Sequence, residues 1–144
     1  STYIGTGKNL AMFLSSVGSP HVKGIWDPCN EIFDEEAERV FPEGFGRVKD
    51  MIVHVHLKDA KIKGSECKPE HVPIGEGDCL FAEHFRELQK MGYHGYLSLE
   101  THWRMKKALS KDLVDKPGGA SYSESAEEAS RICMKNTLAL LEKF

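Results

Sequence analysis

At 144 residues the chain is one domain's worth of sequence, and its 40% hydrophobic and 28% charged content is that of an ordinary globular protein. A net charge of −3 gives no general pull toward nucleic acid or an anionic membrane, and no apolar run approaches the ~20 residues that cross a bilayer. No basic-then-apolar leader opens the chain, and its four cysteines (Cys29, Cys67, Cys79, Cys133) form no CxxC pair, which points to free thiols in a reducing cytoplasm rather than a disulfide frame.

The chain opens on Ser1-Thr2-Tyr3 without Met, as a trimmed or excised terminus would. Residues 8–17 carry the spacing of a short amphipathic helix, closed by Gly18 and barred from continuing by Pro20. Residues 22–26 read as a strand ending on Asp27-Pro28, with Trp26 pointing away from Asp27 toward covering helices. Residues 31–40 read as an acidic helix carrying Ile32, Phe33, Ala37 and Val40 on one side. Residues 51–57, β-branched and apolar and bounded by charge, are the clearest strand. A long polar loop follows through Gly64, Pro69, Pro73, Gly75 and Gly77; the last two glycines serve the turn, because no helix opens directly after them as a dinucleotide fingerprint requires. Residues 81–91 form an amphipathic helix with Phe81, Phe85, Leu88 and Met91 inward, His84 on the surface and Gly92 as C-cap. His94 lies in an exposed turn, and residues 95–99 form a third strand ending on Glu100. Residues 105–121 read as a flexible loop; Ser123 or Ser125 then caps a last helix over about 125–143 that buries Ala129, Ile132, Cys133, Thr137, Leu140 and Leu141.

This alternation is that of an α/β fold with parallel strands joined by crossover helices. Three parallel strands are few, and the strands at 22–26 and 95–99 would both be open edges. Part of the fold is therefore expected to be missing, with the edges covered by a second copy or by the absent portion.

Each strand ends on a residue able to bind a metal: Asp27, His56 and Glu100. In (β/α) proteins the C-terminal strand ends are where sites are built, so residues far apart in sequence converge there. Two carboxylates and one imidazole suit a single divalent ion such as Mn²⁺, Mg²⁺, Co²⁺ or Zn²⁺. One polar strand end marks only a chain leaving the core; three with ligand chemistry point to a metal site.

The local words carry a resemblance. Ile25-Trp26-Asp27-Pro28-Cys29-Asn30 resembles the WDP-x-N segment of the xylose-isomerase-like TIM-barrel superfamily, His54-Val55-His56-Leu57-Lys58-Asp59 its HVHxKD strand end, Pro73-Ile74-Gly75-Glu76-Gly77 its PxGxG loop, and Gly92-Tyr93-His94-Gly95-Tyr96-Leu97-Ser98-Leu99-Glu100 its GYxGxLxxE last strand. That superfamily holds sugar and sugar-phosphate isomerases and epimerases. The resemblance implies that the whole chain, residues 1–144, is the C-terminal part of a (β/α)8 TIM barrel, strands six to eight, with the N-terminal half absent. It implies that Asp27, His56 and Glu100 are three of four ligands of one divalent ion, the fourth being a strand-five Glu that has no match here. It further implies isomerisation or epimerisation of a sugar, sugar phosphate or polyol by proton transfer through a metal-stabilised enediolate, with Glu100 as ligand and acid/base together. The chain alone would then be inactive or badly impaired, lacking the second carboxylate.

Other residues fall around this group. His54, two before His56, faces the same side one layer deeper, as a supporting or core histidine. Lys58 reaches a substrate oxygen or is a solvated loop charge; His102 and Trp103 line the pocket, or Trp103 packs the barrel top; Asn30 and His71 are further candidates for substrate binding. A rival on the same barrel is an endonuclease-IV-like repair enzyme with three zinc ions, whose D-x-x-H and D-x-H ligands would fall on Asn30 and on Pro69 and His71. Asn30 and Pro69 break that set, and the acidic balance is wrong for gripping DNA. A non-catalytic fragment is the remaining alternative.

Overall fold

The computed structural model describes residues 4–35, 37–64, 68–105 and 125–144. Helix α1 (Gly7–Val17) starts where the Thr6 hydroxyl accepts the Asn9 N–H, and stops at Gly18, whose left-handed backbone (φ 61°) returns its N–H to the Leu14 carbonyl. Leu10 and Leu14 close over Gly24, where a Cβ would sit 3.1–3.3 Å from methyl carbons of both and of Ile52, closer than side chains usually pack. Strand β1 (Gly24–Trp26) leads through Asp27 into α2 (Pro28–Ile32); α3 (Phe45–Val48) then leads into β2 (Ile52–Leu57). A hairpin of β3 (Asp59–Lys61) and β4 (Glu70–Val72) precedes α4 (Phe81–Lys90), β5 (Tyr96–Leu99) and α5 (Ala126–Leu141).

The main sheet is parallel in the order β1-β2-β5, as the alternation of elements requires. Its register sets Ile25, His54 and Tyr96 side by side on one face, with His56 and Ser98 above them; Trp26, Val55 and Leu97, then Leu57 and Leu99, share the other. The second face is the core: Trp26, Val55 and Leu57 are buried beneath α3 and α4, with Phe45, Val48, Phe81, Phe85 and Leu88 packed on them. The first face is open, with Ile25 49% and Tyr96 76% exposed. A parallel sheet with one bare face and bare edges is part of a larger barrel rather than a finished layer. Among the described residues no helix is long and apolar enough to cross a membrane.

Four local expectations are corrected. The helix placed at 31–40 instead occupies Pro28–Ile32, because the Asp27 carboxylate caps it on the Cys29 N–H and Pro28 supplies a preset first turn; the next helical residues with ordinary geometry begin after the irregular stretch Val40–Gly44. Phe33 is accordingly exposed. The long loop after β2 holds the β3–β4 hairpin, paired Asp59 to Val72 and Lys61 to Glu70. Ser125 stands before α5 with φ 65° and forms no side-chain cap, and Leu141 is exposed; Ser123 and residues 106–121 lie outside the described residues. Cys29, Cys79 and Cys133 are free and buried, as expected of thiols in no disulfide frame.

The fourth correction is His84, which is buried rather than on the surface. Its Nδ1 donates to the Leu80 carbonyl at 2.9 Å, and its ring fills a space walled by Trp26, Phe41, Phe45 and Phe81, leaving Nε2 without a partner. Burial drives its pKa from 6.5 down to about 4. The folded protein therefore binds fewer protons than the unfolded chain between those values, so stability intact above pH 6.5 falls as the pH drops to 4, by about 3 kcal/mol from this group. In His84→Phe, urea midpoints measured from pH 7 to 4 are expected to fall less steeply than in the parent; equal slopes would refute the burial of a neutral imidazole.

Candidate metal centre

The parallel register brings the three strand ends together. Asp27 follows β1, His56 lies near the end of β2, and Glu100 follows β5 with its N–H on the Leu57 carbonyl at 3.0 Å. Asp27 divides its carboxylate: Oδ1 accepts the Cys29 N–H at 3.1 Å, which orients the group and leaves Oδ2 for the site. His56 Nδ1 lies 3.3 Å from Glu100 Oε2 and 3.8 Å from Asp27 Oδ2. One donor atom each from Asp27, His56 and Glu100 lies within 4.8 Å of the others, the one such cluster among the described residues.

Lys58 enters the same space. It is two residues beyond His56, on the same side of the extended chain, and its Nζ donates to Asp27 Oδ2 at 2.8 Å and to Glu100 Oε2 at 2.9 Å. Burial of the Lys58 stem works against its charge, yet the hydrogen bonds to Asp27 and Glu100 prevail and raise its pKa. Partial burial likewise works against a charged Glu100, but hydrogen bonds from Lys58 and His102 outweigh it and hold the carboxyl at about 2. Glu100 is therefore ionised at any physiological pH, with Oε2 turned to Lys58 and Oε1 on His102 Nε2 at 3.1 Å.

A line of rings runs outward from Glu100. His102 packs against His71 at 4.8 Å, and His71 against Phe33 at 4.9 Å between ring centres. His71 Nδ1 also lies 3.8 Å from the Cys29 sulfur, and that contact raises the His71 pKa. The Cys29 thiol is lowered to about 7, first by its hydrogen bond with Cys79 and then, against its burial, by His71. Of the residues singled out from sequence, Asp27, His56, Lys58 and Glu100 meet directly, and His102 and His71 adjoin them. Asn30 sits in α2 with its N–H on the Asp27 carbonyl, and Trp103 packs partly buried against the core; neither joins the ligand group among the described contacts. His54 lies one pair deeper on the same face, hydrogen-bonded to Ser98, as a supporting histidine would. Phe33 and Cys29 carry no sequence signal for their place beside His71, since each reaches it across the turn of the chain.

The donor set fits a divalent ion. Two ionisable oxygens and one imidazole nitrogen converge, and the two carboxylates already hold a cation, the Lys58 ammonium, between them.

A family model described as xylose isomerase-like TIM barrel matches residues 1–136. Among solved structures, a xylose isomerase domain protein from Planctomyces limnophilus is similar at 24% identity and TM-score 0.56, over 67% of this chain and 36% of that one. An L-ribulose 3-epimerase is similar at 16% identity and TM-score 0.60, over 99% and 44%. An IolI protein with a bound zinc atom is similar at 17% identity and TM-score 0.59, over 95% and 44%. A search of curated proteins finds no match. At these identities the likeness shows a shared fold, and the chain spans less than half the length of each of these structures.

Proposed function

Because this chain belongs to the xylose isomerase-like TIM-barrel family, we propose that it contributes the metal-binding strand ends of an isomerase or epimerase acting on sugars, sugar phosphates or polyols. The observation that carries this reading is the convergence of Asp27, His56 and Glu100 within 4.8 Å at the ends of three parallel strands. A divalent ion held there (Mn²⁺, Mg²⁺, Co²⁺ or Zn²⁺) would supply positive charge beside two neighbouring substrate oxygens, which acidifies the C–H next to a carbonyl. Glu100 is half-exposed beside the other two ligands, so it is placed both to hold the ion and to exchange the proton with substrate. Its hydrogen bond to His102 keeps one oxygen aimed and restrains the carboxylate between transfers. His71 and His102 line the approach to Glu100 and would orient the substrate hydroxyls. Transfer from both faces of a carbon needs a second carboxylate, which in this reading comes from the part of the barrel beyond this chain.

The reaction leaves an isotopic trace. With the complete barrel in D₂O and each of the four ions in turn, a panel of aldoses, ketoses and inosose-type ketones is expected to include a compound that gains deuterium next to its carbonyl, followed by NMR. The 144-residue chain alone is expected to exchange far more slowly. A panel inert with every ion would overturn the proposed reaction.

A further inference from the structure

The bridge made by Lys58 has a consequence for how the centre is loaded. Its Nζ lies 2.8 Å from Asp27 Oδ2 and 2.9 Å from Glu100 Oε2, the same oxygens that face His56 Nδ1 at 3.8 and 3.3 Å. The ammonium thus stands on the two carboxylate oxygens that a divalent ion would take. The Lys58 side chain is only 10% exposed, so this is a seated cation rather than a surface charge passing by. We propose that Lys58 is a built-in occupant of the metal seat, which neutralises Asp27 and Glu100 in the metal-free protein and must withdraw from them before a divalent ion can bind.

Lys58 and a divalent ion would compete for the same acceptors. Two carboxylates facing each other across an empty seat would repel, and a fixed ammonium removes that repulsion without any external ion. The same ammonium opposes an incoming ion, both by filling the acceptors and by like charge. The seat is thereby kept formed at low metal, at the cost of weaker binding. Lys58 is a positioning residue for the ligands here. The inference rests on the metal-centre reading of Asp27, His56 and Glu100, and needs nothing about the substrate.

Two measurements test it. Calorimetric titration of the chelator-stripped protein with Mn²⁺ is expected to show binding tightened about tenfold or more in Lys58→Met, because the competitor is gone. In Lys58→Arg, which keeps the charge, binding should be no tighter than in the parent. The second measurement uses the unmodified protein: labelling of Lys58 by an amine-reactive reagent, read by peptide mass spectrometry, should rise several-fold when Mn²⁺ is added. It settles the matter even if Lys58→Met does not fold. Mn²⁺ binding that is unchanged or weakened in a folded Lys58→Met, or labelling that Mn²⁺ leaves unchanged or lowers, overturns the competition while sparing the metal centre. Failure of the parent protein to bind Mn²⁺, Mg²⁺, Co²⁺ or Zn²⁺ at all removes both.

Discussion

Replacing His56 by Ala is expected to weaken divalent-ion binding by more than about a hundredfold, since loss of even an outer partner of a ligand costs ~10–100-fold. The reason lies in what stays behind. Asp27 and Glu100 retain Lys58 between them, with Nζ at 2.8 and 2.9 Å, so the depleted seat relaxes onto the ammonium rather than waiting for an ion. His56 contributes the one nitrogen ligand of the group, its Nδ1 facing Glu100 Oε2 at 3.3 Å and Asp27 Oδ2 at 3.8 Å. Its side chain is about a third exposed, so the fold should survive the change, and circular dichroism should show no loss of structure. Isothermal titration with Mn²⁺ and metal analysis of the dialysed protein check this; unchanged Mn²⁺ affinity would sink the ligand set. In the complete barrel, the proposed deuterium exchange should be lost with the ion.

Asp59→Ala is expected to cost about 3–5 kcal/mol of stability, by leaving buried donors unpaired. The Asp59 side chain is buried and accepts backbone N–H groups from Ala60 (2.9 Å), Gly75 (2.8 Å), Gly77 (3.1 Å) and Cys79 (3.2 Å). One carboxylate thus folds the whole return loop around itself. Gly77 belongs to the same device, because a side chain there would collide with the Asp59 carboxylate and the Ala60 carbonyl. Such a loss is a large share of the ~5–15 kcal/mol that holds a typical domain together. Asp59→Asn should recover little, since the amide NH₂ would face N–H donors. The effect should also reach the candidate metal centre: Cys79 Sγ donates to the Lys58 carbonyl, and His71 Nδ1 approaches the Asp59 carbonyl. Urea unfolding measures the cost, and a loss below about 1 kcal/mol would show that water replaces the carboxylate readily.

Much of the fold is legible because periodicity is local. The apolar run at 51–57 and the helical stripe at 81–91 need no distant partner to be read, and both elements form where expected. His84 is instructive in the other direction. Phe81, His84, Phe85 and Leu88 follow the spacing of a single inward helix face, so spacing alone places His84 inside; its residue type argues otherwise, and spacing wins because the Leu80 carbonyl satisfies Nδ1. The helix at 31–40 is misplaced for a related reason: an acidic amphipathic pattern outweighs the Asp27-Pro28 start signal in a local reading, whereas the folded chain obeys the cap. The β3–β4 hairpin is invisible to pattern because a buried carboxylate, not an apolar alternation, organises it.

The site divides in the same way. Asp27, His56 and Glu100 are readable as candidate ligands because each lies at or next to a strand end, and parallel strands of one sheet carry their ends to one side. Lys58 is readable by period two from His56 as facing the same way, but nothing in its neighbours says that its ammonium bridges Asp27 and Glu100. By itself, then, the sequence determines the order of the three parallel strands and of the longer helices and the chemical identity of the candidate donors, which depend on residues a few positions apart. Only the tertiary structure decides which donors share a cation, that His84 is neutral and enclosed, and that Asp59 is the pin of a loop. Each of those rests on hydrogen-bond distances and desolvation between groups remote in the chain, and both fall off too steeply with distance to be set by local pattern.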